Sequence, residues 1–293
     1  MEVVAATTSL NDIGGLDQLK EWLQRRSGAF SASAKAYGLP APKGLLIVGI
    51  PGTGKSLTAK ATAGAFGLPL LRLDMGCVFG GIVGQSEANL RTVIQTAEAI
   101  APCVLWIDEI EKGFSGSKSS GSTDGGTSSR VFGSFLSWMQ EKEKPVFVVA
   151  TANDVSKLPP EFLRKGRFDE MFFVDLPDSQ ERTQIWDIVI NRHGRQANNY
   201  DTVLLSRACE QFTGAEIEAA FIDALHEAYA DGREPKATDI LEAMTRSVPL
   251  AQLMDGEISA LRHWAKGRAR EAASHAAPTT AARNGRRIAS QAN

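Results

Sequence analysis

Between Gly44 and Pro177 the chain alternates short apolar runs with segments of helical period, and this alternation limits the folds open to it. The runs are "LLIVG" (45–49), "LPLLRLD" (68–74), "CVLWID" (103–108), "VFVVAT" (146–151) and "MFFVDL" (171–176). They are too short and too uniformly apolar to be strands with one wet face, so each is expected to be a strand buried on both sides. Between them "GKSLTAKATAGAF", "SEANLRTVIQTAEAI" and "SSRVFGSFLSWMQ" carry helical spacing. Strand, helix, strand in repetition predicts an α/β fold, a mainly parallel sheet with helices on both faces.

The pattern changes after Pro177. "SQERTQIWDIVINRH", "DTVLLSRACEQF", "TGAEIEAAFIDALHEAYADG" and "KATDILEAMTRS" all read as helices. In the third, Ile217, Ala220, Phe221, Ala224, Leu225 and Ala228 make one apolar stripe, with Thr213 as N-cap and Gly232 as stop. Four segments are therefore expected. Residues 1–43 are a linker with an amphipathic leading helix in "LDQLKEWLQRR", and 44–177 are the large α/β domain. Residues 178–265 are a small all-α lid, ending in a further helix within "ISALRHWAKGRAR". Residues 266–293 are a basic, disordered tail, in which Lys266, Arg268, Arg270, Arg283, Arg286 and Arg287 stand against Glu271 alone.

With 293 residues, 43% of them hydrophobic, the chain can bury a sizeable core. A formal net charge of −2 gives no global attraction to nucleic acid or an anionic membrane. Cys77, Cys103 and Cys209 form no C-x-x-C pair and read as small buried hydrophobes in a reducing compartment. No apolar run is long enough to span a bilayer, and the first residues lack a signal-peptide layout, so a cytosolic protein is expected.

The first apolar run ends in "GIPGTGKS" (49–56), which fits G-x-x-x-x-G-K-[ST] with a strand before it and a helix after it. Gly49, Gly52 and Gly54 let the backbone curl so that its N–H groups point at phosphate oxygens, and the helix beginning near Lys55 adds its positive end. Lys55 can reach the β and γ phosphates, and Ser56 can ligate Mg²⁺. A nucleoside triphosphate site is expected, with Pro51, Thr53 and Leu57 among its contacts. Cleavage needs more: an acid that organises the metal and a group that orients water. "CVLWIDE" offers Asp108 for the Mg²⁺ shell and Glu109 as base. "VVATAND" ends in Asn153, whose amide could sit between γ-phosphate and water. In "FLRKGRFDE", Arg164 and Arg167 flank Gly166, and their guanidinium forks suit a phosphate gaining negative charge.

Taken together, these residues resemble an AAA ATPase of the classical clade over about residues 10–247. The "DIGGLDQLK" stretch resembles the segment before the phosphate loop, where Ile13 and Gly14 would lie against adenine. "GIPGTGKS" and "WIDE" match the family's Walker A and Walker B motifs, and Asn153 matches sensor 1. "PPEFLRKGRFDE" puts Arg164 and Arg167 in arginine-finger positions, and "TGAEIEAA" brings Gly214 and Ala215 to the nucleotide. The resemblance implies a P-loop NTPase core with a lid, ATP and Mg²⁺ as ligands, and a homo-oligomeric ring, a hexamer by family pattern, whose fingers enter a neighbour's site. "AYGLP", "FGGIVGQSE", "APCVLWIDEIEKGF" and "ALRHWA" are closer still to a family encoded in algal plastid and cyanobacterial genomes, which would make the plastid stroma the alternative location. Members of that family carry a long region before this point, and the chain begins almost at the ATPase module.

Some features depart from translocating relatives. Ile82 stands where a pore-loop aromatic would be, with Phe79 three residues earlier. "SGSKSSGSTDGGTSS" (115–129) is polar and reads as a flexible loop, with Lys118 its one cation. His226-Glu227 begins an H-E-x-x-H pattern that Ala230 breaks, so no zinc site is expected, and His193, His263 and His275 show no ligand spacing. The five tryptophans sit in strand or helix patterns and are expected to pack the core. The expected function is Mg-dependent ATP hydrolysis coupled to remodelling a protein client. The alternative is a nucleotide-gated switch that binds a partner in the ATP state without threading it. A nucleic-acid motor ranks last, supported only by the basic tail.

Overall fold

The computed structural model describes residues 1–75, 78, 85–113, 124–164 and 166–274, with residues 124–130 described by backbone alone. The five apolar runs become strands β2 (Gly44–Gly49), β3 (Leu70–Leu73), β4 (Cys103–Ile107), β5 (Val146–Ala152) and β6 (Glu170–Val174). They pair in parallel, and two short edge strands, β1 (Glu2–Val4) and β7 (Arg270–Glu271), extend the sheet to the order β1-β3-β4-β5-β2-β6-β7. β1 runs antiparallel to β3.

Because side chains alternate along a strand, each strand feeds two cores. Leu46 and Val48 join Leu105, Ile107, Val148 and Ala150 on one face; Leu45 and Ile47 join Val104, Trp106, Phe147 and Val149 on the other. Helices α1 (Asp17–Gln24), α2 (Ala32–Tyr37) and α3 (Lys55–Phe66) lie before and after β2. α1 sets Trp22 edge-on against Phe172 at 5.9 Å, and α3 adds Ala59, Ala63 and Phe66 to the same core. The opposite face is covered by α4 (Gln85–Ile100) and α5 (Asp124–Glu141).

A third core, around Trp186, Leu205, Phe221 and Ile240, holds together α6 (Ser179–Arg192), α7 (Thr202–Ala208), α8 (Gly214–Ala230) and α9 (Ala237–Arg246). Asp178 and Thr213 close capping boxes with Glu181 and Glu216, which fixes where α6 and α8 begin. Gly232, at φ 67°, follows the end of α8.

The C-terminal part departs from the expected division. After α10 (Leu250–Leu253), the helix expected near the end is α11 (Asp255–Ala265), but its Ile258, Leu261 and Ala265 pack on the sheet's core, not the helical cluster. Arg262 holds it there with a bidentate ion pair to Asp175, at 2.8–3.0 Å. Residues 266–274 are not a disordered tail: β7 pairs with β6, Ala272 is buried, and its carbonyl accepts the N–H of Leu19 at 3.1 Å. The physical reason is an open sheet edge, whose unpaired backbone groups are satisfied by a passing extended segment. Within the segment expected as a loop, 124–129 belong to α5; its remaining residues, with Phe79, Ile82, Cys77, Lys118, His275 and residues 275–293, lie outside the described residues.

Candidate functional site

Strand order brings the motif residues together. β5 lies between β2 and β4, and the register pairs Val48 with Ala152 and Ile107 with Ala150. The loop after β2, the carboxylates after β4 and the amide after β5 therefore meet at the carboxyl ends of the strands, where parallel α/β sheets place ligands.

A cleft of about 450 Å³ opens there, within the range of about 300–1,000 Å³ usual for ligand pockets. Its floor is the turn 51–57, in which Gly52 and Gly54 sit at φ 80° and 89°. A Cβ on Gly52 would come within 2.8 Å of Thr213 Oγ1, because Ala215 donates its N–H to the Gly52 carbonyl at 3.1 Å. Lys55 is buried and gives its ammonium to the carbonyls of Gly49 and Ile50 at 2.9 and 2.6 Å. Burial pushes its pKa down to about 8 against the pull of Glu111, Asp108 and Glu109.

Ser56 Oγ donates to Asp108 Oδ1 at 2.8 Å, and Thr151 Oγ1 donates to the same oxygen at 2.7 Å. Glu109 adopts φ 49° and donates its N–H to Thr151 Oγ1 at 2.9 Å. Its carboxylate accepts Asn153 Nδ2 at 2.9 Å and pairs with Lys112. Behind it, Glu111 accepts the N–H of Asn153, and burial raises its pKa.

The far end of the cleft carries an apolar lining beside charged groups: Ile13, Gly14, Ile185, Ile188 and Val189 line it with Asp12, Arg192 and Glu218, and Gly214 and Ala215 flank the loop. Gly14 lies so close to α6 that an added Cβ would sit 2.5 Å from Ile185 Cγ1. The cleft thus gathers every expected nucleotide contact together with Glu109 and Asn153.

Arg164 and Arg167 do not line it. Their loop is pinned to the opposite end of β2: Asp169 accepts the N–H groups of Lys43 and Gly44, and Lys43 Nζ donates to the Gly166 carbonyl. The six residues of β2 span roughly 17 Å, beyond the reach of an arginine side chain. Arg164 is exposed, and Nη1 of Arg167 is buried with no hydrogen-bond partner among the described residues.

Thr151, Ile185, Ile188, Arg192 and Glu218 line the cleft without having been expected. Thr151 looks like ordinary β-branched strand filling, and the others lie far along the chain on helices, where sequence periodicity assigns them only a face. His226 lies exposed on α8, and among the described residues no group of three or more His, Cys, Asp or Glu side chains is placed to hold a metal. Nor is any helix among them long and apolar enough to cross a membrane.

A glycine-rich loop, a serine and an aspartate sharing a hydrogen bond, and a carboxylate held by an amide, all at the carboxyl end of a parallel sheet, define a P-loop nucleotide-binding domain. Residues 45–176 match the model of the ATPase family associated with various cellular activities (AAA), so this part of the chain is a domain of that family, which implies a nucleotide-binding ATPase domain. It is similar to the AAA domain-containing protein ycf46 of Pyropia yezoensis, with 55% identity over 89% of this chain and 53% of the relative. The ycf46 protein of Guillardia theta is 52% identical over 90% of this chain and 52% of its own length. The chain spans about half the length of these relatives.

Proposed function

We propose that the chain binds ATP with Mg²⁺ and hydrolyses it in a homo-oligomeric ring, where Arg164 and Arg167 of one copy complete the cleft of the next, and that the cycle remodels a protein client. The observation that carries this reading is the separation of the arginine loop from its own cleft by the length of β2, with Arg164 exposed and Arg167 Nη1 without a hydrogen-bond partner among the described residues. An arginine finger supplied in trans is worth about 10³–10⁵ in rate.

The donor set suits magnesium. Ser56 Oγ and Asp108 are hard oxygen donors at the foot of the loop, which favours Mg²⁺ over softer metals, with phosphate oxygens and waters filling the shell. When bound, the ion neutralises phosphate charge. The chain's own residues do the rest. Lys55 and the loop N–H groups hold the phosphates. Glu109 takes a proton from the attacking water, and Asn153 orients both. The grip of Asn153 and Lys112 on the Glu109 carboxylate favours a second reading, a switch that hydrolyses slowly until a partner frees that group.

Complementation tests the first reading. Arg167→Ala and Glu109→Gln, each inactive alone, should regain turnover when mixed, since each supplies what the other lacks. Mixtures that stay inactive overturn the shared site.

A further inference from the structure

The base end of the cleft contains charged groups as well as isoleucines. Arg192, at the end of α6, and Glu218, on α8, both line it and form an ion pair at 3.1 Å. Arg192 also donates from Nη2 to the Asp12 carbonyl at 3.2 Å, so the pair is anchored to the wall that carries Ile13 and Gly14. His193 Nε2 lies 3.5 Å from the same Glu218 oxygen, Oε1. Both contacts fall on Oε1, and among the described residues no donor is paired with Oε2. Glu218 remains 33% exposed, enough for a ligand to reach. Asp12, the other carboxylate lining the cleft at this end, is already engaged in capping the N–H of Ser9 at 2.6 Å.

Position along α8 says which part of a nucleotide Glu218 would meet. The helix starts at Gly214, beside the phosphate loop, and Ala215 is bonded to Gly52. Four residues further on is about 6 Å along the axis, roughly the span of a sugar away from the phosphates. The slot for the base, lined by Ile13, Gly14, Ile185 and Ile188, lies beyond. A carboxylate oxygen without a donor, held in place by an arginine, is an acceptor for hydroxyl groups.

Resting on the reading of this cleft as a nucleotide site, we propose that Glu218, oriented by Arg192, accepts one ribose hydroxyl and makes the site select the ribonucleotide over the deoxy analogue that lacks that hydroxyl. Arg192 is a positioning residue, and Glu218 touches the ligand.

Calorimetric titration of the whole chain with Mg-ADP, Mg-2′-deoxy-ADP, Mg-3′-deoxy-ADP and Mg-IDP tests this. A lost hydrogen bond to a charged acceptor corresponds to about tenfold or more in affinity. The wild type should bind ADP about tenfold tighter than at least one deoxy analogue, and IDP like ADP. Glu218→Ala should erase the preference while leaving the affinity for the deoxy analogue unchanged, which also reports an intact pocket. Arg192→Ala should weaken it, and the near-isosteric Glu218→Gln should keep part of it. Should Glu218→Ala fail to fold, Glu218→Gln carries the test. Equal binding of ADP and both deoxy analogues by the wild type, or full selectivity in both Glu218 variants, overturns the proposal. So does a Glu218 effect confined to ADP and absent with IDP, which would assign the carboxylate to the base amine. A wild type that binds none of the four ligands sinks the nucleotide reading itself, and the proposal with it.

Discussion

The hydroxyl of Thr151 donates to Oδ1 of Asp108 at 2.7 Å and accepts the backbone N–H of Glu109 at 2.9 Å. One side chain on β5 thus fixes both residues that follow β4, Asp108 through its carboxylate and Glu109 through a backbone held at φ 49°. A non-glycine residue in that region is strained and persists only where its surroundings hold it.

Thr151→Val keeps the shape and removes both hydrogen bonds. The bond to the Asp108 carboxylate, as one to a charged group, contributes about 1.5–3 kcal/mol, so turnover should fall by about 10- to 100-fold. Affinity for ADP without metal should change little, because the hydrogen bonds of the Thr151 hydroxyl go to Asp108 and Glu109 and not to the loop. Thr151→Ser should recover activity. Steady-state ATPase rates beside calorimetric affinities check this, and normal turnover in Thr151→Val would reduce Thr151 to packing.

Gly14→Ala places a methyl group 2.5 Å from Ile185 Cγ1 and 2.9 Å from the Ile185 backbone nitrogen. Backbone cannot step aside cheaply, so the wall carrying Ile13 should be displaced from α6 and ADP affinity should drop by about tenfold or more. Gly28→Ala is the control, since nothing lies within 4 Å of its added Cβ. Equal losses in the two variants would mean that Gly14 has no part in the slot.

Specific ATPase activity should rise with protein concentration and level off as copies associate, given that neither arginine reaches its own cleft. Arg164→Ala or Arg167→Ala should lower the plateau, and light scattering run alongside should show an oligomer forming over the same range. A rate per chain that is flat on dilution, with a monomer throughout, would count against association.

Lys142 gives a pH signature far from the cleft. Burial pushes its pKa down from the ordinary 10.5 to about 8, with Asp169 the largest opposing influence. Below about pH 8 folded and unfolded chains both hold the proton, and the buried charge costs stability. Between about 8 and 10.5 the unfolded chain holds a proton that the folded chain has lost, so this group makes stability rise with pH. The slope is at most about 1.4 kcal/mol per pH unit. Urea unfolding at several pH values should show this contribution as a difference between wild type and Lys142→Met. Identical pH dependence in the two proteins would show that the ammonium is not desolvated.

The parts legible in the sequence are those whose signal is local. "GIPGTGKS" carries its own turn, its lysine and the start of its helix within eight residues, and each central strand is a run of apolar residues that can only be buried. β1 and β7 have no such signature. Glu2–Val4 and Arg270–Glu271 are too short to show a period, and their pairing is dictated by the edges they meet. α11 reads as a helix from its stripe, but nothing in that stripe says which of two cores receives it; Asp175, 87 residues away, settles that through Arg262. Thr151 and Glu218 stayed hidden for a related reason. A threonine in a strand and a glutamate on a helix acquire a role only from neighbours brought in by the fold.

Gly15 and Leu16 give their backbone N–H groups to Gln184 and Glu181 at 2.9 and 3.0 Å, so the wall bearing Ile13 is fastened to the first helix of the helical cluster, while the phosphate turn belongs to the sheet. Ile13 and Leu16 also pack in the sheet's core, and Ala215 of the helical cluster donates its N–H to the Gly52 carbonyl in the phosphate turn. Sheet and helical cluster are therefore tied together on both flanks of the cleft, and any ligand that pushed its walls apart would strain both ties at once.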